Sequence, residues 1–250
     1  MASKKRKIVI IGLFVLIIAS CIGYAQFYLR RASALHVFAE VISCVTTSKQ
    51  IVALTFDDGP NPEATLQILD ILKEHNAYAT FFVTGENAER YPEIVRRLIE
   101  EGHELGNHSW NHIRLTYKSP EFTHHQIEKV DGFLRKLGYE GTIHFRAPFG
   151  HGLFVLPYTL MKMDRPHILW SIELNDWNNP SPEYMMEDLN GQIKPGAIIL
   201  LHDGYSSEHQ SRQATVELVE MILQTYMEQG YDFVTMSALL EAHENPLSGH

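Results

Sequence analysis

Two adjacent carboxylates, Asp57 and Asp58, lie between a β-prone run and a Gly-Pro turn in the stretch LTFDDGPNP (54–62). Their like charges repel, so the pair is favoured where each carboxylate has its own partner. If one carboxylate binds a divalent cation, the other stays free to take a proton from water that the cation activates. Taken alone, an Asp-Asp-Gly stretch is more often a surface turn.

Two histidines four residues apart, His108 and His112, could supply the remaining ligands. On a helical turn this spacing places both imidazoles on one side. Two imidazoles and one carboxylate are sufficient for a catalytic zinc or a similar ion, with a position left for water. The chain has 14 histidines, and the His124-His125 pair is interpreted as a solvated helix face. A double Asp at a comparable strand end favours a metal site at His108 and His112.

Other residues could complete a hydrolytic site. Arg146 is permanently charged and could hold a carboxylate by paired hydrogen bonds. His202 follows a very apolar run and is a candidate general acid, with Asp176 as the group that orients its ring. Trp177 and Leu200 could form an apolar wall for a small group. The structural alternatives are a surface ion pair, a buried structural histidine and ordinary core packing.

These residues lie at the ends of predicted strands. Strand-like and helix-like segments alternate over about 190 residues, which is typical of a parallel sheet, open or closed into a barrel. Active sites of such folds form where the carboxyl ends of strands meet the following loops, so the clusters predict one pocket. The predicted strands are 51–56, 79–83, 142–148, 167–172, 196–201 and 232–236, and the predicted helices are 63–75, 88–102, 120–137, 182–193 and 211–229.

The N-terminal region predicts a membrane tether. The 22 residues from Ile8 to Leu29 carry no charged side chain, and as a helix they are long enough to span a bilayer. Basic residues at 4–7 precede the run, so the N-terminus is expected in the cytoplasm and the body outside. A buried core helix fits such a flanked run less well. Lipidation at Cys21 and removal as a signal peptide stay open as variants, and both still export the body.

The charge distribution argues against a nucleic-acid partner, and the cysteine content argues against a disulfide. The chain has 21 basic and 30 acidic residues. Seven of the basic residues but only one of the acidic residues lie in residues 1–50, which leaves a net charge of −15 in residues 51–250. So acidic a body repels polyanions, which argues against a nucleic-acid partner. Cys21 and Cys44 are poorly placed to bridge, so no disulfide is expected.

Five motifs, taken together and in order, give the sequence a resemblance to the polysaccharide deacetylases of the NodB-homology type, carbohydrate esterase family four. The resemblance extends over about residues 50–240. It implies an α/β fold, a distorted (β/α) barrel that removes acetyl groups from N-acetylated sugar polymers. The motifs are TFDDGP (55–60), HSWNH (108–112), RAPFG (146–150), DW (176–177) and LLH (200–202).

The resemblance also implies roles for the residues of the metal site. Asp57 is similar to the catalytic base, and Arg146 to the residue that tunes it. Asp58, His108 and His112 are similar to the ligands of one divalent ion, for which zinc is expected and cobalt, nickel or manganese are the alternatives.

The other half of the site follows the same resemblance. The backbone amide of Phe149 would help to stabilise the oxyanion, a role that depends on preorganised charge. Asp176 would tune His202, which would protonate the leaving amine. Trp177 and Leu200 would line the pocket for the acetyl methyl group.

The sequence departs from the family pattern in two motifs and in one longer segment. Glu173 stands where many members carry Asp, and Ala147 replaces a common Pro. Neither change removes an assigned catalytic group. The segment 151–166 is unusually apolar and contains Pro157, so it is expected to reshape the groove or form a surface contact.

The expected organisation is a basic tail (1–7), a transmembrane signal-anchor (8–29), a stalk (30–49), a deacetylase domain (50–240) and a C-terminal tail (241–250). The expected function is metal-dependent removal of N-acetyl groups from cell-envelope polysaccharide outside the cell membrane, with N-acetylglucosamine of peptidoglycan as the first candidate. One alternative is a deacetylase or esterase acting on another acetylated glycan, such as chitooligosaccharide or xylan. The other is a metal- or sugar-binding protein that has the fold without catalysis.

Overall fold

The computed structural model describes residues 39–204 and 211–244. The predicted transmembrane segment (8–29), Cys21, the first part of the predicted stalk (30–38) and the end of the C-terminal tail (245–250) lie outside the described residues. Among the helices that are described, none combines the length and the apolar character that a bilayer crossing requires.

The described strands form a sheet centred on β2. This strand pairs in parallel with β3 on one side and β7 on the other, and its first residues also pair with β8. Strand β4 extends the sheet beyond β3, and β6 extends it beyond β7. The strands are β1 (Val41–Ile42), β2 (Ile51–Asp57), β3 (Thr80–Val83), β4 (Glu104–Asn107), β5 (His167–Ile168), β6 (Ile172–Glu173), β7 (Ile198–His202) and β8 (Asp232–Val234).

The sheet curls into a distorted barrel. Phe145 forms single bridges to Asn107 of β4 and to His167 of β5. The chain then runs from β5 into β6, which pairs with β7 and so completes the ring. Strand β1 lies beside β5, within the residues that the sequence predicts as a stalk. The predicted parallel α/β architecture is therefore confirmed in this distorted form.

Two predicted strands are shorter than the sequence indicates. The strand predicted over 142–148 is reduced to the bridge at Phe145, because Pro148 has no N–H to donate and Phe149 leaves the extended region with a φ of 64°. The strand predicted over 167–172 is split into β5 and β6. The Arg146 guanidinium accounts for the split, since it donates to the carbonyls of Ile168 and Leu169.

The helices surround this sheet. The helix predicted over 88–102 is in fact two, which meet at Tyr91, because Pro92 lacks an N–H and restricts the residue before it. Part of the apolar segment 151–166 forms α5, with Pro157 in its first turn, where proline is tolerated. The helices are α1 (Ala64–Glu74), α2 (Gly85–Arg90), α3 (Pro92–Glu100), α4 (Pro120–Lys136), α5 (Val155–Lys162), α6 (Pro182–Leu189), α7 (Gln213–Glu228) and α8 (Met236–Glu241).

Alternation along β2 separates the core from the site. Val52, Leu54 and Phe56 point into the main hydrophobic core between the sheet and helices such as α1, α3 and α7. Thr55 and Asp57 point to the opposite face, toward the barrel interior, and Arg146 contacts both. The strand thereby places Asp57 at its carboxyl end with a fixed orientation.

Candidate active site

Asp57 forms a buried ion pair with Arg146. Its Oδ1 atom accepts a 2.7 Å hydrogen bond from Nη1 of Arg146, which also donates to Oγ1 of Thr55 at 2.8 Å. The guanidinium carbon lies 4.0 Å from the ring centre of Phe82. Burial lowers the pKa of Arg146 and the Asp57 carboxylate opposes this, but guanidinium remains charged at neutral pH. The pair holds the Asp57 carboxylate in place.

Asp58, His108 and His112 converge on one point. Oδ1 of Asp58 lies 3.1 Å from Nε2 of His112 and 3.5 Å from Nε2 of His108. The candidate ligand atoms of the three residues all lie within 4.8 Å of one another. Oδ1 of Asp58 is buried, and no hydrogen bond of acceptable geometry reaches it within the described residues. An unsatisfied carboxylate oxygen between two imidazole nitrogens fits a divalent cation.

The protonation state of His108 suits a ligand. Its Nδ1 lies 2.9 Å from the carbonyl oxygen of Arg146, which can only accept, so Nδ1 carries the hydrogen and Nε2 keeps its lone pair. Burial lowers the pKa of His108 to about 3, which keeps the ring neutral at physiological pH. The Nε2 lone pair is therefore available on the side of Asp58.

An irregular loop, and not the predicted helical turn, brings the two histidines together. Ser109 and His112 have φ values of 65° and 50°, outside the right-handed helical region. The N–H of Ser109 donates to Oδ1 of Asn107 at 2.9 Å, while Nδ2 of Asn107 donates to Asp131 at 2.7 Å. Buried Asn107 thus ties the start of the loop to helix α4.

His202 and Asp176 form the second ion pair. Nδ1 of His202 lies 2.7 Å from Oδ1 of Asp176, and Oδ2 accepts from the His202 backbone N–H and from Oγ1 of Thr215. Burial alone would lower the pKa of His202, but the Asp176 carboxylate, with smaller contributions from Asp58 and Asp57, outweighs burial and raises that pKa to about 9. The His202 ring is therefore a cation at neutral pH and can donate a proton from Nε2.

These groups open into one cleft of about 390 Å³. Phe149 and Trp177 are each 47% exposed at its edge, while Leu200 is buried in its wall. The Phe149 ring packs 4.8 Å from that of His112. The structure thus brings all the sequence-predicted site residues to one place, with Arg146 and Asp176 just behind the lining. The lining residues are Asp57, Asp58, His108, His112, Phe149, Gly150, Trp170, Glu173, Trp177, Leu200, His202 and Arg212.

The sequence-based prediction assigned no role to three residues of this region. Trp170 lines the cleft, and Arg212 is buried behind His202, where its Nε donates to the carbonyl of Gly204 at 2.7 Å. Asp203 is buried and accepts from Oγ1 of Thr65 at 2.5 Å. Burial raises the pKa of Asp203 to about 7. Its position directly after the LLH motif is the signal that could have identified it.

Comparison with known proteins agrees with these features. The family model described as polysaccharide deacetylase matches residues 45–157. The peptidoglycan-N-acetylglucosamine deacetylase of Bacillus cereus is 37% identical over 198 residues, which is 78% of this chain and 91% of that protein. The peptidoglycan-N-acetylmuramic acid deacetylase PdaC of Bacillus subtilis is 37% identical over 79% of this chain, but the chain spans only 40% of its length.

Solved structures show the same fold. The crystal structure of the Bc1960 peptidoglycan N-acetylglucosamine deacetylase, in complex with a naphthalenyl N-hydroxybenzamide, superposes with a TM-score of 0.76. It is 33% identical in sequence and covers 84% of this chain and 96% of its own.

Proposed function

The chain belongs to the polysaccharide deacetylase family, and we propose that it removes N-acetyl groups from N-acetylglucosamine units of peptidoglycan by metal-dependent hydrolysis. One observation carries the proposal: a buried carboxylate, Asp57, and a protonated imidazole, His202, face one cleft beside the cluster Asp58, His108 and His112. A base, an acid and a cation site are the parts that amide hydrolysis needs.

The choice of substrate draws support from the relatives and from charge. The chain spans nearly all of a relative named for N-acetylglucosamine of peptidoglycan. The net charge of −15 over residues 51–250 disfavours polyanionic substrates. Leu200 and the exposed Trp177 form an apolar wall that suits an acetyl methyl group.

In this mechanism Asp57 and His202 move the protons. A divalent ion held by Asp58, His108 and His112, for which we propose zinc, supplies a Lewis acid for the acetyl carbonyl when bound. Asp57, fixed by Arg146, accepts the proton of the attacking water. His202 gives its proton to the amine nitrogen as the C–N bond breaks, which releases acetate and a glucosamine unit.

Two further roles complete the proposal. The backbone N–H of Phe149 donates to the oxygen on which negative charge develops. Asp176 holds the His202 ring so that its Nε2 is the nitrogen that donates, since Nδ1 is occupied by the carboxylate.

We also propose that the N-terminal segment 8–29 keeps the domain at the outer face of the cell membrane. The uncharged run and the basic residues before it support this, because they match a single-pass anchor with its N-terminus in the cytoplasm. Membrane fractionation, followed by protease treatment of intact cells, tests it. Recovery of the chain in the soluble cytoplasmic fraction would contradict the anchor.

Acetate release from a panel of polymers tests the proposed activity. The polymers are peptidoglycan, N-acetylglucosamine oligomers and acetylated xylan. Each is tested with the wild type, with Asp57→Asn and with Asp188→Asn, an exposed residue that serves as the control. We expect peptidoglycan to be the best substrate and Asp57→Asn to lower release by about 10²–10⁴-fold with bound metal retained. Equal release by wild type and Asp57→Asn would refute the base. If the protein binds metal but releases no acetate from any N-acetylated polymer, the result would favour a non-catalytic binding protein. If acetylated xylan is the best substrate, xylan would take the place of peptidoglycan as the proposed substrate.

A further inference from the structure

Trp170 and Glu173 form a pair at the cleft that the proposed mechanism does not use. The indole Nε1 of Trp170 donates to Oε2 of Glu173 at 3.2 Å, and both side chains line the cleft. Glu173 is exposed and Trp170 is partly exposed, so substrate can reach both. A carboxylate at this point places a negative charge in a cleft that also holds the reacting groups.

The strand register places Glu173 beside the proposed acetyl pocket. Glu173 of β6 is the direct partner of Leu200 of β7. Paired residues on neighbouring strands point to the same face, with their Cβ atoms about 5 Å apart. Ile172, one residue earlier, points to the opposite face and is buried in the core. The Glu173 carboxylate therefore lies on the same face as Leu200, one side chain away from it.

The indole that holds Glu173 is itself fixed. A Cβ on Gly150, whose φ is 64°, would lie 2.7 Å from the Trp170 ring, so the backbone packs directly against the indole. The guanidinium carbon of Arg146 lies 5.6 Å from the centre of the same ring. Because Trp170 is held on these sides, its N–H is a fixed anchor, and Glu173 keeps its place at the edge of the cleft.

A fixed negative charge beside the acetyl pocket distinguishes two sugars. N-acetylmuramic acid carries a lactyl ether on the carbon next to the acetamido carbon, and without a peptide this group ends in a carboxylate. N-acetylglucosamine has a neutral hydroxyl there. The two cationic side chains of the lining have other partners, since His202 is bound to Asp176 and Arg212, nearly fully buried, donates to Gly204.

We propose that the Trp170–Glu173 pair is a specificity element, which selects N-acetylglucosamine over N-acetylmuramic acid that bears a free lactyl carboxylate. Glu173 repels the lactyl carboxylate and accepts a hydrogen bond from the hydroxyl that N-acetylglucosamine has in its place. This inference rests on the proposed function, because it assumes that the acetyl group lies against Leu200.

The test compares two glycans in binding and in turnover. The ligands are an N-acetylglucosamine oligomer and a peptide-free glycan strand rich in N-acetylmuramic acid. Affinities are measured by calorimetry on full-length protein carrying Asp57→Asn, and kcat/KM for acetate release is measured on protein with an intact Asp57. The affinities and the kcat/KM values are compared between protein with the native Glu173 and protein with Glu173→Gln. The glutamine keeps an oxygen that can accept from Trp170 but lacks the negative charge. Glu187→Gln, an exposed residue on α6, removes the same charge elsewhere.

We expect Glu173→Gln to narrow the preference for N-acetylglucosamine by about tenfold, and Glu187→Gln to leave the preference as it was. Raising the salt concentration should also narrow the preference for N-acetylglucosamine in protein with the native Glu173, since salt screens exposed charges. Trp170→Phe keeps the ring but releases the carboxylate, so it should give an intermediate preference.

The outcomes separate this proposal from the proposed function. An unchanged preference in Glu173→Gln, or an equal change in Glu187→Gln, would overturn the role of Glu173. A binding preference that depends on Glu173, without acetate release from either glycan, would support the selection and overturn the proposed hydrolysis.

Discussion

Nδ1 of His202 lies 2.7 Å from Oδ1 of Asp176, and this contact keeps a buried imidazole charged far above its ordinary titration range. The same carboxylate accepts from the His202 backbone N–H and from Thr215, so the pair is held from three sides. The proton needed for the leaving amine is therefore present throughout the neutral range.

The first prediction concerns the basic limb of the pH profile. Because the pKa of His202 is about 9, kcat/KM should fall only as the pH rises through that value. Asp176→Asn removes the stabilising charge, so the basic limb should move down by about two pH units. Thr215→Val removes only a neutral donor and should move the limb far less. A basic limb unchanged in Asp176→Asn would contradict the assignment of His202.

The second prediction concerns stability of the same pair. A histidine whose pKa is raised on folding stabilises the fold fully below its unfolded value, near 6.5, and loses this contribution as the pH rises to about 9. The wild type should therefore have a higher free energy of unfolding than Asp176→Asn, and this difference should be largest below pH 6.5. Urea unfolding between pH 6 and 9.5 measures this difference. A difference that grows with pH would show that another group dominates.

The third prediction concerns the buried Arg146–Asp57 pair. Arg146→Met leaves the Asp57 carboxylate buried without its partner, so we expect a loss of about 3–5 kcal/mol in the free energy of unfolding. Arg97→Ala serves as the control, since Arg97 pairs with Asp70 and Glu101 on the surface and should cost below about 1 kcal/mol. Equal losses in the two variants, measured by urea unfolding, would mean that the pair is not buried as described.

The fourth prediction concerns the metal site. His112→Ala should abolish stoichiometric divalent metal in the purified protein, because it removes one of three ligands. A chelator should lower the melting temperature of the wild type and leave that of His112→Ala unchanged. His124→Ala, on the solvent side of α4, should keep the metal content of the wild type. Full metal content in His112→Ala would contradict the site.

The fifth prediction concerns Asp203. Burial raises its pKa from 3.8 to about 7, so the folded protein keeps a proton there that the unfolded chain releases. The free energy of unfolding should therefore fall between about pH 4 and 7, by about 1.4 kcal/mol for each unit of pKa difference. Asp203→Asn lacks this proton, so its stability relative to the wild type should rise across that window. The exposed control Asp188→Asn should show no such trend.

The sequence predicts the arrangement of the site well because its groups follow strands. The carboxyl ends of parallel strands meet at one edge, so placing Asp57, His202 and Asp176 after predicted strands is enough to bring them together. The same reasoning applies to Arg146 and to the histidines after β4. Strand and helix periodicity likewise predicts β2, α1, α4 and α7 to within about two residues.

Other features depend on contacts between distant residues and could not be predicted. The non-helical loop of His108 and His112 is fixed at its start by Asn107, which donates to Asp131 of α4, 24 residues away. The break between β5 and β6 results from the Arg146 guanidinium, which binds carbonyls some twenty residues away in sequence. Local propensity contains no information on either contact.

The closure of the barrel at Phe145 has a consequence for heat inactivation. This join consists of single bridges, whereas β2 is paired along its length on both sides, so the join should open at less cost than the pairing of β2. Arg146 is the next residue, and opening would withdraw it from Asp57. Catalysis is then expected to fail on warming while most of the amide protons of β2 are still protected from exchange.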